Sequence, residues 1–394
     1  MKTVAVSILA LTLTAAAFSF GKHSASCPAE TLCVGHGQRY STIQAAANAA
    51  KPGQTVLVED GTYAGFHSVH AGTASAPIIF KAHGAHAVIN SAGDSNGDCI
   101  NIENTDDVIV DGFHLTGCGR AAIRAALATG VIIRNNVITG SGMWGIFTAF
   151  APKVQILNNK VSQTRGQHGI YVSNSDVQDD DPVIRGNEVS GSAQNGIQLN
   201  GDCQTPDPNG RTDGIISGAL IEGNLVHDSG NKGFSLIDVQ WSRIQNNIIY
   251  NNGLKGAAGG IHLAEQDSCT QDPSSYNVIV NNTIIEPHIA AIRITTGTHN
   301  VIFNNIAISY RTIADETDGP NAIDRTSNIQ GKVSADMFVN APAHDFHLLR
   351  GAPVIDAGLA SYQGKAAPAV DFDGNKRPQG KGFDIGAYEY IPTK

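Results

Sequence analysis

The stretch Val108–Gly130, VIVDGFHLTGCGRAAIRAALATG, runs directly into Val131–Lys153, VIIRNNVITGSGMWGIFTAFAPK, and the two align as successive copies of a unit of 23 residues. A period in the range of roughly 20 to 50 residues marks a stacked repeat, in which no unit buries its own apolar face alone. An Asn returns in the same slot at Asn136, Asn159, Asn187, Asn224, Asn247, Asn282 and Asn305, in steps of 23, 28, 37, 23, 35 and 23 residues, so some units are minimal and others carry insertions. Each unit also places a small residue ahead of a short β-prone run: Ala122-Ile-Arg, Gly145-Ile-Phe, Gly169-Ile-Tyr, Gly196-Ile-Gln, Gly233-Phe-Ser, Gly260-Ile-His and Ala291-Ile-Arg. Apolar runs this short, β-branched and broken by Asn and Gly, read as strands and turns rather than helices. Stacking the units sets equivalent strands parallel at about 4.8 Å, with the Asn column able to form a hydrogen-bonded ladder. The expected fold is all-β: a single-stranded, right-handed parallel β-helix.

Composition agrees with one elongated domain. With 394 residues, 41% of them apolar, and 43 glycines, the chain can bury a long core and must turn often. A formal net charge of -9 and the lack of a basic stripe exclude general nucleic-acid binding. Met1-Lys2 followed by apolar Thr3–Phe20 predicts a secretory signal peptide over residues 1–25, with small residues for cleavage between Ala17 and Ala25. That run is too short and too rich in Thr and Ala for a membrane anchor. A secreted monomer, extracellular or periplasmic, is expected. Six cysteines fit export. Cys27 and Cys33 are close enough to staple the N-terminal segment, Cys99 and Cys118 fall on adjacent rungs, and Cys203 and Cys269 sit in the two largest insertions, where a bridge is expected.

The mature domain, residues 26–394, divides by pattern. Ser41–Lys51 reads as a short helix closed by Pro52-Gly53, which suits an N-terminal cap over residues 38–53. Coils are expected over about 55–312. Beyond Thr312 the Asn rhythm fades, and residues 313–394 are expected to fold back over the final coils as a capping tail. The segments TIQAAANAAKPGQTVLVEDGTYAG (42–65), HGIYVSNS (168–175), NGIQLNGD (195–202), SLIDVQWSRIQNNIIYNN (235–252), NVIVNNTII (277–285) and DIGAYEY (384–390) resemble secreted bacterial right-handed β-helix proteins of the pectate-lyase-like superfamily. The resemblance covers nearly all of the mature chain and implies the fold. It implies a polysaccharide as partner, but the superfamily spans lyases, uronan epimerases, glycoside hydrolases and binding proteins, so the reaction must be argued from the site.

The repeat locates that site. Ile123, Ile146, Ile170, Ile197, Phe234, Ile261 and Ile292 form one core-facing column, and period-two alternation turns the next column outward. The outward column reads Arg124, Phe147, Tyr171, Gln198, Ser235, His262 and Arg293, and the column two residues on includes Ser173, Asn200 and Thr295. The residues preceding the small residues include Trp144, His168, Asn195 and Lys232; their direction is open, because Gly can bend the strand there. Insertions at Gly201–Ser217 and Ala264–Asn277, with a smaller one at Asn174–Asp181, follow these strands and are expected to wall a groove. Asn195, Gln198, Asn200, Ser235 and Arg293 are the candidate substrate-binding residues.

Carboxylates share the strip. Asp202, Asp213, Asp238 and Glu265 are candidate ligands for Ca²⁺, the candidate cofactor, since carboxylates one rung apart stand about 5 Å from each other. The same spacing suits a retaining glycosidase pair, so Asp202, Asp238 and Glu265 keep a hydrolase open. Gln178–Pro182 reads as a solvated acidic turn in preference to a calcium loop. Cleavage of a uronate chain by β-elimination requires a neutralised carboxylate, a base for the adjacent proton and an acid for the leaving oxygen. Lys232 or His168 as base, Tyr171 or His262 as acid, and Arg293 or Ca²⁺ as neutraliser make a polysaccharide lyase, or an epimerase sharing proton abstraction, the first expectation. A hydrolase and a non-catalytic glycan-binding protein are the alternatives.

Overall fold

The structure, a computed structural model, describes residues 27–175, 180–255, 259–266, 273–286, 290–331 and 337–392. It is an all-β parallel solenoid. Strands Ile132–Arg134, Gln155–Leu157, Val183–Arg185 and Leu220–Glu222 pair in parallel, residue for residue, along one face. Val137–Thr139, Lys160–Ser162, Glu188–Ser190 and Leu225–His227 do so along a second. A third face is a ten-stranded sheet running from Phe66–His67 to Ile313–Asp315.

The dipeptides between the first two faces explain the corner. Asn135, Asn158, Asn246, Asn281 and Asn304 turn the chain at φ of 53–56°, and Gly186 and Gly223 fill the same slot in other rungs. Asn and Gly tolerate this left-handed region where most side chains do not. The Asn that follows forms the ladder. Asn136 Nδ2 and N–H both donate to Asn159 Oδ1, and the pattern repeats from Asn159 to Asn187, Asn224, Asn247, Asn282 and Asn305. It continues to Asn328, one rung past residue 312, where the rhythm was expected to fade.

The small residue of each unit is explained by close approach. A Cβ on Gly169 would stand 2.2 Å from Val189 Cγ1 and 2.8 Å from the Gly196 carbonyl oxygen, and one on Gly196 would stand 2.3 Å from Val226 Cγ1. The chain enters the third face at these points by passing directly over core side chains. The seven-membered apolar column from Ile123 to Ile292 is fully buried. At the N-terminal end the helix spans Ile43–Ala47, shorter than the Ser41–Lys51 stretch, with Thr42 Oγ1 accepting from the Ala45 N–H. Its Ile43, Ala46 and Ala47 join the same core as Val56, Val58 and Phe66.

The C-terminal segment packs Met337, Phe338, Phe346, Val354 and Ile385 against Ile248, Ile306 and Ile308. Disulfides join Cys27 to Cys33 and Cys99 to Cys118, as the spacings allowed. The signal-peptide stretch, the Cys203–Cys269 bridge and the Gln178–Asp179 half of the acidic run lie on, or depend on, positions outside the described residues. Among the described residues, no helix is long and apolar enough to cross a membrane.

Candidate active site

On the third face the register sets Arg124 against Phe147, Phe147 against Tyr171, Tyr171 against Gln198, Gln198 against Ser235, Ser235 against His262 and His262 against Arg293. The outward column is therefore continuous. The directions of Trp144, His168 and Asn195, each ahead of a small residue, are also resolved. Asn195 Nδ2 donates to Gln198 Oε1 at 2.6 Å, and the His168 ring meets Tyr171 edge-on with centroids 5.1 Å apart. Trp144 stacks on Phe147 at 4.6 Å. His168 and Asn195 thus stand on the same outer surface as Tyr171 and Gln198, and Lys232 is near enough to act electrostatically on His168 and His262.

Electrostatics single out the centre of this surface. Lys232 is half-buried, and its amine is pushed below the usual lysine range, first by burial and then by the nearby Arg293 cation. Among the described residues its ammonium has no carboxylate partner. Burial, with Lys232 adding to it, lowers His168 to about 4. Burial, with Lys232 and Arg293 adding to it, lowers His262 to about 3. Both rings are neutral near pH 7. The Asn195 N–H donates to His168 Nδ1 at 3.2 Å, which puts the proton of that ring on Nε2. His262 Nε2 lies 3.0 Å from Thr295 Oγ1, and that hydroxyl donates to the Leu263 carbonyl. The His262 ring therefore donates through Nε2, and its Nδ1 is a bare acceptor.

Among the described residues that acceptor has no hydrogen-bond partner, nor has the buried Ser235 hydroxyl on the adjacent rung. Unmet buried polar atoms cost about 1–3 kcal/mol each, and two on adjacent rungs of the outer strip are available to a ligand. Tyr171 Oη lies 3.0 Å from Ser173 Oγ and 3.5 Å from Asn200 Nδ2. Arg293 forms a two-pronged ion pair with Glu316, at 3.1 and 2.8 Å. Glu316 was missed because it follows Thr312, in a rung assigned from sequence to the tail.

Two of the candidate metal ligands, Asp202 and Asp238, bond across between insertions. Asp202 accepts from Asn174 Nδ2 and from Gln266 Nε2, both at 3.2 Å, which ties three insertions together. Asp238 is fully buried and accepts the Gln266 N–H at 3.1 Å. Asp213 is half-buried at the end of the first insertion, where its Oδ1 accepts the Ile215 N–H, and Glu265 is half-buried at the root of the next. Among the described residues, no group of three or more His, Cys, Asp or Glu side chains converges as an ion site. Asp180, in the Gln178–Pro182 run read from sequence as a solvated acidic turn, is instead buried and held by Ser175 and Ser217, and burial raises it to about 6.

The chain matches the family described as right handed beta helix region over residues 78–212 and 178–314. Its sequence matches no curated protein. Among solved structures it is similar to pectate lyase Pel9A, with 14% identity, a TM-score of 0.56, and 88% of this chain and 90% of that one covered. It is also similar to XylC in complex with xylose, with 11% identity, a TM-score of 0.55 and coverage of 91% and 99%. A rhamnogalacturonan lyase matches with 11% identity, a TM-score of 0.54 and coverage of 79% and 90%. At these identities the likeness is one of fold. Coil period, register and family match agree, and the chain belongs to the right-handed β-helix family with the pectate-lyase-like fold.

Proposed function

We propose that the protein is a secreted enzyme that abstracts the proton beside the carboxylate of a uronic acid in a polysaccharide and cleaves the chain by β-elimination. The observation that carries this reading is the half-buried Lys232 amine, without a carboxylate partner among the described residues, which burial and then Arg293 push down and which acts electrostatically on the neutral His168 and His262 rings. A lysine serves as general base through its neutral form, and burial beside another cation shifts Lys232 in that direction. His168 is the weaker base, because its Nδ1 lone pair is taken by Asn195 and its Nε2 carries a proton. It acts as a hydrogen-bond donor to the sugar.

Lys232 Nζ takes the proton next to the carboxylate, the electron pair forms the new double bond, and the glycosidic C–O bond breaks. Tyr171 supplies a proton to the leaving oxygen. In epimerisation the same tyrosine returns a proton to the opposite face of the carbanion. His262 Nδ1 and Ser235 Oγ, without hydrogen-bond partners among the described residues, receive substrate hydroxyls. Arg293 turns from Glu316 to the uronate carboxylate. The burial of Asp238 and the wall bonds of Asp202 speak against a hydrolytic pair. Ca²⁺ uptake at Asp202, Asp213, Asp238 and Glu265 remains a proposal, read by adding chelator to the same assay.

Incubation with polygalacturonate and alginate should release products with ultraviolet absorbance from the new double bond. Lys232→Ala should lower turnover by about 10²–10⁴-fold, and Lys232→Arg should not restore it, since a guanidinium stays protonated. New reducing ends without absorbance would mean hydrolysis and sink this reading.

A further inference from the structure

Trp241, Tyr276 and His299 form a column of stacked rings on the outside of the solenoid. Their centroids are 5.7 and 4.9 Å apart and their planes lie within 8° and 11° of parallel. Trp241 is 54% and Tyr276 43% exposed, and His299 is exposed as well. The three share one corner of consecutive rungs, with the Trp241 N–H donating to the Ser275 carbonyl, that of Tyr276 to Thr298 and that of His299 to Pro320.

The fold does not need rings in this corner. Backbone φ there is 50° at Trp241, 61° at Tyr276 and 59° at His299. In earlier rungs the slot holds Asp107, Gly130, Lys153, Asp181 and Gly218, also at positive φ. Glycine and aspartate suit that left-handed geometry, whereas a bulky ring strains it. Leu127 and Phe150, bulky residues at positive φ in a neighbouring corner, line a cleft beneath the Asp207–Arg211 tip of the first insertion. Trp241 and Tyr276 instead turn their rings to solvent, so strain is accepted here for exposed aromatic surface.

The column ends in an open face. Gly218, one rung upstream of Trp241, has no side chain to stack on the indole, and a Cβ there would lie 2.3 Å from Asp181 Oδ1, which places that carboxylate over Gly218. An uncovered indole bordered by a carboxylate offers an apolar plate for the CH face of a pyranose and an acceptor for its hydroxyls. Two or three half-exposed rings present at most a few hundred Å², below the roughly 800 Å² per partner of a stable protein interface, which favours a sugar chain over a second copy. In each coil the ring follows the groove strand and precedes the next one, Trp241 between Phe234–Ile237 and Arg243–Gln245 and Tyr276 between Ile261–Ala264 and Val278–Val280, so the column stands at a corner off the groove face.

We propose that Trp241, Tyr276 and His299, with Asp181, form a second carbohydrate-binding platform, which holds a pyranose polysaccharide by stacking and tethers the protein to the polymer outside the groove. The inference does not depend on the chemistry assigned to Lys232. The test uses the full chain in a Lys232→Ala background and compares it with Trp241→Gly/Tyr276→Asp, substitutions that place residues used in the same corner upstream. Retention in native gels containing polygalacturonate, alginate or xylan should weaken about tenfold or more in the double variant, and the melting temperature should hold or rise because strain is relieved. Unchanged retention overturns the proposal, as does failure of all three polymers to retain the parent. Concentration-dependent self-association of the parent, abolished in the variant, would identify a second copy as the occupant and also overturns it. Should Lys232→Ala leave turnover intact, only the groove reading falls.

Discussion

Lys232 and Arg293 stand two coils apart, on either side of the His262 rung, and their mutual repulsion gives a test that a merely structural pair would fail. Arg293 holds the Lys232 amine down, so Arg293→Ala should raise it. Activity that needs the neutral amine then requires higher pH. The acidic limb of kcat/KM against pH should move upward in Arg293→Ala, in addition to any loss of substrate affinity. A limb that stays in place would remove Lys232 from the role of base. The identities in this strip were legible, because alternation and a gap-free register carry each outward residue to its neighbour. The state of Lys232 was not. Its partnerless burial depends on what stands on the rungs either side, and Glu316, which engages Arg293, lies 23 residues further along.

The stacked side-chain ladders carry their own titratable end. The Ser229 N–H donates to Asn252 Oδ1, while Asn252 N–H and Nδ2 donate to the two oxygens of Glu286, each at 2.8 Å. Burial raises the Glu286 carboxyl to about 7 against those hydrogen bonds. An acid whose folded pKa lies above its unfolded value of 4.5 binds more protons when folded, so its contribution to stability falls as pH rises from about 4.5 to about 7 and is flat above. Glu286→Gln should remove that slope. Unfolding by denaturant across this window should shift in favour of the variant by on the order of 2–3 kcal/mol between the two ends. Parallel curves for the two proteins would show that Glu286 stays ionised in the fold. The Asn column itself was plain in the sequence as a recurring letter, whereas this shorter ladder changes residue type at each step and offers no letter to follow.

Each coil touches mainly its neighbours, so stability in a solenoid accumulates rung by rung, and the ends matter more than in a compact domain. The C-terminal segment is fastened by Arg377 and Glu389, paired at 2.7 Å with neither side chain exposed. Arg377 also donates to Asn246 Oδ1 and to the Gly386 and Ala387 carbonyls. Asn281 and Asn304, from the same corner slot, donate to Asp384, Gly386 and Leu359 carbonyls. Arg377→Met strands a buried carboxylate and should cost about 3–5 kcal/mol, with most of it recovered in Arg377→Met/Glu389→Leu. Hydrogen exchange should show the segment around Phe338, Phe346 and Ile385 opening before the ladder between Asn136 and Asn224. Uniform opening along the chain would mean that the tail and coils unfold as one unit.

Period and alternation are local properties, and they were enough for the all-β coil, its core column, the Asn ladder and the membership of the outward strip. A parallel stack converts equal spacing in the chain into contact in space, so a repeat that can be counted is a register that can be written down. The direction of His168 and Asn195 required the folded chain, because a Cβ-free residue follows each and the bend there depends on the core side chain it crosses. The same holds for the role of Asp202 and Asp238, whose partners come from other insertions, and for the docking of the tail on corner asparagines more than a hundred residues away. Such contacts join segments with no shared period. Their energies arise from burial and from charges brought together across the coil, and neither is encoded at any fixed spacing along the chain.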